Sequence, residues 1–374
     1  MRAASSRLIP EVLLKRSAHR LPAVFAALLS FVSLASVAHA DDTTPKDVVL
    51  RVSSWGGKST QTQIKYAGDI FTNKTGVKVQ FIDGASIDHV AKLVAAHGHN
   101  VPYDVVLLDG DVRAQAIKAG VLQKFDPAQV PNAKYALDGA RNAQGYGPDF
   151  DFVSVALVYN ADRFREANIP APTSWKDLWD PRLAGHVALP TLQNAAGRAL
   201  LIETSRLNGG DESNLDKAVA ELGKIHARTY WSTSQQAEQL IKSGDIWITA
   251  IADGRAYALQ DVYQPARAVR AKEGSIAFPS TADIVKGTPH PELAEQFLNE
   301  IYGALYQLGN ATDFYYGPTN RLLEPVIAAD APLAAKVIYT PQQAATLYHP
   351  DWNKYWAAHE RAQDLWNRTL TSAH

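Results

Sequence analysis

The sequence contains no cysteine. That absence excludes thiol nucleophiles, thiolate metal sites and anchoring through a lipidated cysteine. Stability must come from burial, which a chain of 374 residues supplies without cross-links. Positive charge is not in surplus: 37 Lys and Arg stand against 38 Asp and Glu. No basic stripe runs through any segment, which argues against nucleic acid as a partner. The chain shows no G-x-S-x-G elbow, no H-E-x-x-H helix and no EF-hand loop. It also shows no internal repeat and no low-complexity tract.

Long apolar runs are missing everywhere except near the start. Arg2, Arg7, Lys15, Arg16 and Arg20 precede the run LPAVFAALLSFVSLASV (21–37), and the small-residue site Ala38-His39-Ala40 follows. That order reads as a cleavable secretory signal over residues 1–40, cut after Ala40, and the run is short for a membrane span. Without those five bases the remainder is more acidic still. An exported protein is expected.

What is present is alternation of strand and helix. DVVLRVSS (47–54), VKVQFID (77–83) and YDVVLLD (103–109) are β-branched runs, each followed by a helical pattern. Such a β-α-β-α-β order predicts a parallel-rich sheet clothed by helices. A Gly/Pro/Asp-dense break at 142–151 precedes a long strand at 152–160, suited to crossing into a second lobe. Further strands are expected at 186–190 and 245–253, with RTYWSTS (228–234) as a loop. The turn-rich stretch 263–274 is the expected return, with SIAFP (275–279) and one helix from Pro291 rejoining the first lobe. The expected plan is a two-lobed α/β chain. Lobe 1 takes 41–151 and a return segment 265–310. Lobe 2 takes 152–264, and 311–374 supplies hinge and lobe 2 helices.

The stretch VLRVSSWGGKST (49–60) raises the question of a nucleotide site, because Gly57-Lys58-Ser59 resembles the end of a P-loop. A P-loop needs Gly five positions before Gly57, and Val52 stands there inside the strand. The nucleotide reading fails. The stretch instead presents Ser53, Ser54 and Trp55 at the carboxyl end of a parallel strand, where open α/β sheets bind ligands. Trp55 either packs on its own lobe or offers a stacking face. Ser86 and Asp109 sit at equivalent tips, as helix caps or as ligand contacts. After the strand 245–251, Asp253 suits an amine and Arg255 a carboxylate or phosphate, unless the two pair with each other.

Two other chemistries compete. Tyr315-Tyr316 would suit ferric iron as paired tyrosinates, or else form a packed aromatic wall. An exported hydrolase would need a base, and His89, His97 and His186 are the histidines near strand tips, none with a recognisable partner pattern.

Taken in order, several segments resemble the periplasmic solute-binding proteins of ABC importers, in the group that contains the spermidine/putrescine-binding proteins. SSWGG (53–57) is similar to the family's first-strand Trp loop, and YDVVLLDGDVRAQAIKAGVLQKFD (103–126) to its strand, loop, helix and G-[ILMV]-[IL]-x-x-[IL]-D run. PTSWKDLWDPRLAGHVAL (172–189) resembles T-S-W-x-D-L-W-x-P-x-x-x-G. AKEGSIAF (271–278) and YYGPTNR (315–321) resemble its P-K-E-G and G-Y-x-x-P-N stretches. The resemblance spans nearly all of the chain after residue 40.

It implies a type II Venus-flytrap fold with the ligand cleft between lobes. It also implies a monomeric, non-enzymatic periplasmic receptor without cofactor, whose partners are a small solute and an inner-membrane permease. Carried over position by position, it places ligand contacts at Trp55, at Asp109-Gly110-Asp111, at Trp231 and Ser232, at or beside Asp253, and near Tyr316. The sequence departs from polyamine binders in the loop PTLQNAAGR (190–198), which has no acid to receive an ammonium group. It offers Thr191, Gln193 and Asn194 at a helix N-terminus, with Arg198 one turn in, a setting that favours anions. The expected solute is therefore polyamine-like, or an opine or amino-acid derivative with both amine and acid.

Overall fold

The computed structural model describes residues 48–142 and 144–371. The signal reading of residues 1–40 lies outside them. No helix among the described residues is long and apolar enough to cross a membrane.

The first lobe opens with β1 (Val49–Ser54), whose Leu50 and Val52 side chains are wholly buried. Gly57 turns the chain at φ 62°, a backbone angle natural to glycine, and α1 begins (Lys58–Gln63). It runs on through a π turn (Ile64–Gly68) into Asp69–Thr75 and ends at left-handed Gly76. β2 (Lys78–Asp83), α2 (Ser86–Ala96), β3 (Val105–Asp109), α3 (Gly110–Lys118) and the short β4 (Leu122–Gln123) complete the first passage. β1 pairs in parallel with both β2 and β3, as the alternation predicts.

The chain crosses through β5 (Asp151–Phe152) into the second lobe. There it forms β6 (Val155–Asn160), α4 (Ala161–Glu166), β7 (Val187–Pro190), α5 (Ala195–Leu207), α6 (Asp216–Leu222), β8 (Thr229–Trp231), α7 (Ser234–Ser243), β9 (Ile248–Ala252), α8 (Asp253–Val262) and β10 (Ala266–Val269). Its sheet order is β10-β6-β9-β7-β8. The return crossing pairs Ala277 with Ser154, and β11 (Ser280–Val285) then inserts antiparallel to β3. The first sheet thus reads β2-β1-β3-β11-β4. α9 (Pro291–Ile301) and α10 (Ala304–Phe314) follow, then β12 (Gly317–Pro318), which pairs with β5 at the crossing. After three short helices, α11 (Trp352–Trp366) buries Tyr355, Ala362 and Trp366 in the second lobe's core.

Three local expectations are corrected. The return does not begin at 265, because β10 is an edge strand of the second sheet. Arg267 sits on it, which an edge tolerates and which hid the strand. The strand of the return is β11, not SIAFP. The helix from Pro291 breaks at Tyr302-Gly303, where Gly303 leaves the helical region with ψ 149°.

Candidate functional site

A cavity of 610 Å³ lies where the two lobes meet. The N-cap residues of six helices line it: Gly57, Ala85, Asp109, Asn194, Thr233 and Ala252. This follows from the topology, since each helix leaves a strand whose carboxyl end points at the cleft. Helix N-termini carry partial positive charge and unsatisfied N–H groups, so six of them make a setting for anionic groups. Asn194 caps its own helix, its Oδ1 accepting from the Ala196 N–H (3.0 Å), and Thr233 closes a capping box with Gln236. Gly57, Ala85 and Asp109, all on the first lobe, make no side-chain cap.

On the first-lobe wall, Ser86 Oγ accepts from the Trp55 indole N–H (3.1 Å) and the Asp109 backbone N–H (3.0 Å). Its own proton is then free to face the Asp109 carboxylate. Half-buried Trp55 therefore has its ring edge fixed while it borders the cavity. Burial, with the Asp111 charge alongside, pushes the Asp109 carboxyl up to about 6 against the pull of Arg198, Ser86 and Trp55.

Arg198 and Asp111 are both fully buried and paired across the lobes, with Arg198 Nε and Nη2 both donating to the carboxylate. Arg198 Nη1 also donates to the carbonyls of Leu192 (3.0 Å) and Gln193 (2.9 Å), and so holds the 190–194 loop in place. Arg198 Nη2 stands 3.5 Å from Asp109. The guanidinium that the sequence offered to an anion is thus engaged with acids of this chain.

On the second-lobe wall, Arg255 pairs with Glu238 (3.2 Å), lies over the Phe314 ring (5.2 Å) and borders the cavity. Tyr316 stacks on Phe314 with ring centroids 5.5 Å apart, and burial pushes its phenol well above its ordinary range.

The structure brings Trp55, Ser86, Asp109, Asn194, Ser232, Arg255 and Tyr316 to this one cavity. Four expected contacts lie elsewhere. Ser54 is buried within its lobe, donating to Gln63 (2.6 Å) and bonded to Thr60 (2.6 Å). Trp231 is a core residue, 1% exposed, whose indole donates to Thr249 (2.9 Å), because it ends strand β8 rather than belonging to a loop. Thr191 is bonded to Ser232 Oγ (3.0 Å) behind the lining. Asp253 accepts from the Ser154 hydroxyl (2.8 Å) and from Arg270 (3.3 Å), so it neither pairs with Arg255 nor lines the cavity. Sequence reasoning missed Gln235 and Phe278. Gln235 looked like an ordinary helix residue, yet a Cβ added at Gly57 would stand 2.5 Å from its amide nitrogen. The Gly-Gly pair was the available signal for that close approach.

The competing chemistries lose their geometry. Tyr315 donates to Asp261 and accepts from Lys336 (3.0 Å), while Tyr316 faces the cavity. His89 is buried against the Tyr103 hydroxyl (2.7 Å) and the Ser54 carbonyl (3.2 Å). His97 ends α2 in the left-handed region, and His186 stacks flat on Trp247 at 3.6 Å. Among the described residues no group of three or more His, Cys, Asp or Glu is placed to hold a metal.

The family model for bacterial extracellular solute-binding proteins matches residues 67–336. Among curated proteins, the gamma-aminobutyric acid-binding protein of Pseudomonas aeruginosa is 24% identical over 312 residues, 79% of this chain and 84% of that one. The spermidine/putrescine-binding periplasmic protein of Escherichia coli K12 is 23% identical, over 85% of this chain and 88% of its own. Among solved structures, the periplasmic binding protein AgtB of A. tumefaciens R10, in complex with agropinic acid, superposes with a TM-score of 0.70. It shares 23% identity, with 87% of this chain and 99% of that chain covered.

Proposed function

The chain belongs to the family of bacterial extracellular solute-binding proteins, and from that footing we propose that it is the periplasmic receptor of an ABC importer. It closes its lobes around a small polar solute carrying both an amine and an acid group, and hands it to the permease in the inner membrane. The observation that carries this reading is the pairing of opposite demands in one cavity. Asp109 presents a carboxylate beside the Trp55 ring, where an ammonium gains both charge pairing and cation–π contact. The convergent helix N-termini favour a carboxylate, beside an Arg255 whose charge is already met by Glu238. Relatives named for gamma-aminobutyric acid and for polyamines support an amine, and the first of these also carries an acid.

Lobe closure is the mechanism the topology allows, because the lobes join through the β5–β12 pair and the 277–280 crossing. Gln235 against Gly57 and Arg198 against Asp111 are contacts that closure makes between lobes.

A thermal-shift series on the chain from residue 41 tests the proposal, using gamma-aminobutyrate, other amino acids, opines and neutral sugars. A bound solute at about 100 times its Kd adds roughly 2.7 kcal/mol, a rise of about 5 °C or more for a chain of this size. The rise is expected with amine–acid compounds and is lost in Trp55→Ala. Shifts with sugars alone would sink the reading.

A further inference from the structure

We infer that Arg198 is a specificity-determining residue: by neutralising Asp111 from across the cleft it leaves one carboxylate, that of Asp109, inside the cavity's exposed rim, and so admits one ammonium group per solute. The inference rests on the reading above and names the class of solute within it, a monoamine with an acid group rather than a diamine.

The charged groups around the cavity pair off one by one. Arg255 is matched by Glu238 at 3.2 Å. Asp253 is matched by Arg270 at 3.3 Å and by the Ser154 hydroxyl. Arg198 gives its Nε and Nη2 to Asp111, with both side chains at zero exposure. Asp83 and Asp88 stand exposed at the rim, where water screens them, and Asp83 already accepts from Thr60 (2.7 Å). Asp109 remains. Its side chain keeps 20% of its surface open, and its distance to Arg198 is 3.5 Å, too long for the tight contact that Asp111 has. A single ammonium completes it. A second would be buried without a carboxylate, which is disfavoured.

The groups facing Asp109 are Asp111 in the first turn of α3, Arg198 from α5, and the Ser86 and Trp55 donors from the neighbouring tips. Arg198 therefore acts through other residues and is a positioning residue for ligand charge. Removing it leaves two uncompensated acids beside the cavity, a setting for a diamine. Removing the charge of Asp111 instead frees Arg198 to neutralise Asp109, a setting for no amine at all.

The matched probes are gamma-aminobutyrate and putrescine, four-carbon chains differing in one terminal group, titrated calorimetrically into wild type, Arg198→Met and Asp111→Asn between pH 5 and 8. Wild type is expected to favour gamma-aminobutyrate by about tenfold or more. Its affinity should fall as pH drops through about 6, where the Asp109 carboxyl takes up its proton. Arg198→Met should move the ratio toward putrescine by on the order of tenfold. Asp111→Asn is nearly isosteric and keeps the test alive if Arg198→Met fails to fold. It should weaken gamma-aminobutyrate and carry the pH at which affinity falls to lower values, which a purely structural role would not do. A wild type that prefers putrescine, or variants with unchanged ratio and unchanged pH profile, overturns this inference while leaving a receptor for amines standing. Binding of neither probe, with no amine–acid compound of the thermal series shifting wild type either, removes the underlying reading and this inference with it; where one such compound does shift it, that compound replaces gamma-aminobutyrate in the same comparison.

Discussion

Among the described residues, two clusters gather carboxylates around one arginine, and their difference is instructive. At the cleft, Asp109 and Asp111 share Arg198. At the crossing, Asp283 and Asp149 share Arg113, at 2.7 and 3.7 Å, with Asp151 close by. The crossing cluster is knitted into backbone. Asp151 accepts from the Ser280 N–H (2.7 Å), Asp283 accepts from the Gly147 N–H (3.3 Å), and Arg113 donates to the Gly147 carbonyl. Burial pushes both Asp149 and Asp151 up to about 7, and Asp149, its side chain 25% exposed, borders a separate cavity of 500 Å³. The cleft cluster leaves its surplus acid facing a cavity. Both surplus acids thus border a cavity, and what differs is the surroundings: backbone bonds fix the crossing cluster, whereas the cleft cluster sits among converging helix N-termini.

The largest effect should come from breaking the crossing cluster. Arg113→Met leaves Asp283 buried and unpaired, and should cost about 3–5 kcal/mol of stability in denaturant titration. A loss confined to ligand affinity would erase the contrast between the clusters. A smaller effect sharpens it. Asp149 has a folded pKa above its unfolded value, so the native state binds more protons between about pH 4 and 7, and stability falls as pH rises through that window. Asp149→Asn removes this penalty and should raise Tm by about 3 °C at pH 8, with little gain at pH 4. An equal shift at both pH values would show that Asp149 is not buried as a carboxylate. The smallest effect belongs to an uncharged contact across the cleft. Gln235→Ala loses the contact against Gly57 and should weaken solute binding by about threefold to tenfold, with Tm of the unliganded protein within a degree. A Tm loss larger than the affinity loss would make Gln235 structural.

The parallel core of the first lobe was legible because β1, β2 and β3 are apolar runs punctuated by glycine. β8, β10 and β11 were not. TYW is short, ARAV carries Arg267 and is followed by Arg270, and STADIV has hydroxyls and an acid where a strand signal wants apolar residues. Those polar groups are satisfied by partners distant in sequence, such as Arg113 for Asp283, which no local pattern encodes. The cavity followed the same rule. Trp55, Ser86, Asp109 and Arg255 were visible as strand-tip residues. That Arg198 is consumed by Asp111, 87 positions away, and that Trp231 turns inward to Thr249, depend on packing between elements.

The last long helix reaches both sides of the cleft. Tyr355 and Trp366 anchor α11 in the second lobe's core, while the indole of Trp356 donates to the Asp111 carbonyl (2.8 Å) and lies 5.7 Å from the Arg198 guanidinium. A hinge motion that parts the lobes must carry α11 with the second and release that one bond. Half-buried Trp356 would keep Arg198 beside it but lose its bond to Asp111 to water, and its emission should change colour. The protein holds a fluorophore at its own fulcrum, ready to report opening without a label.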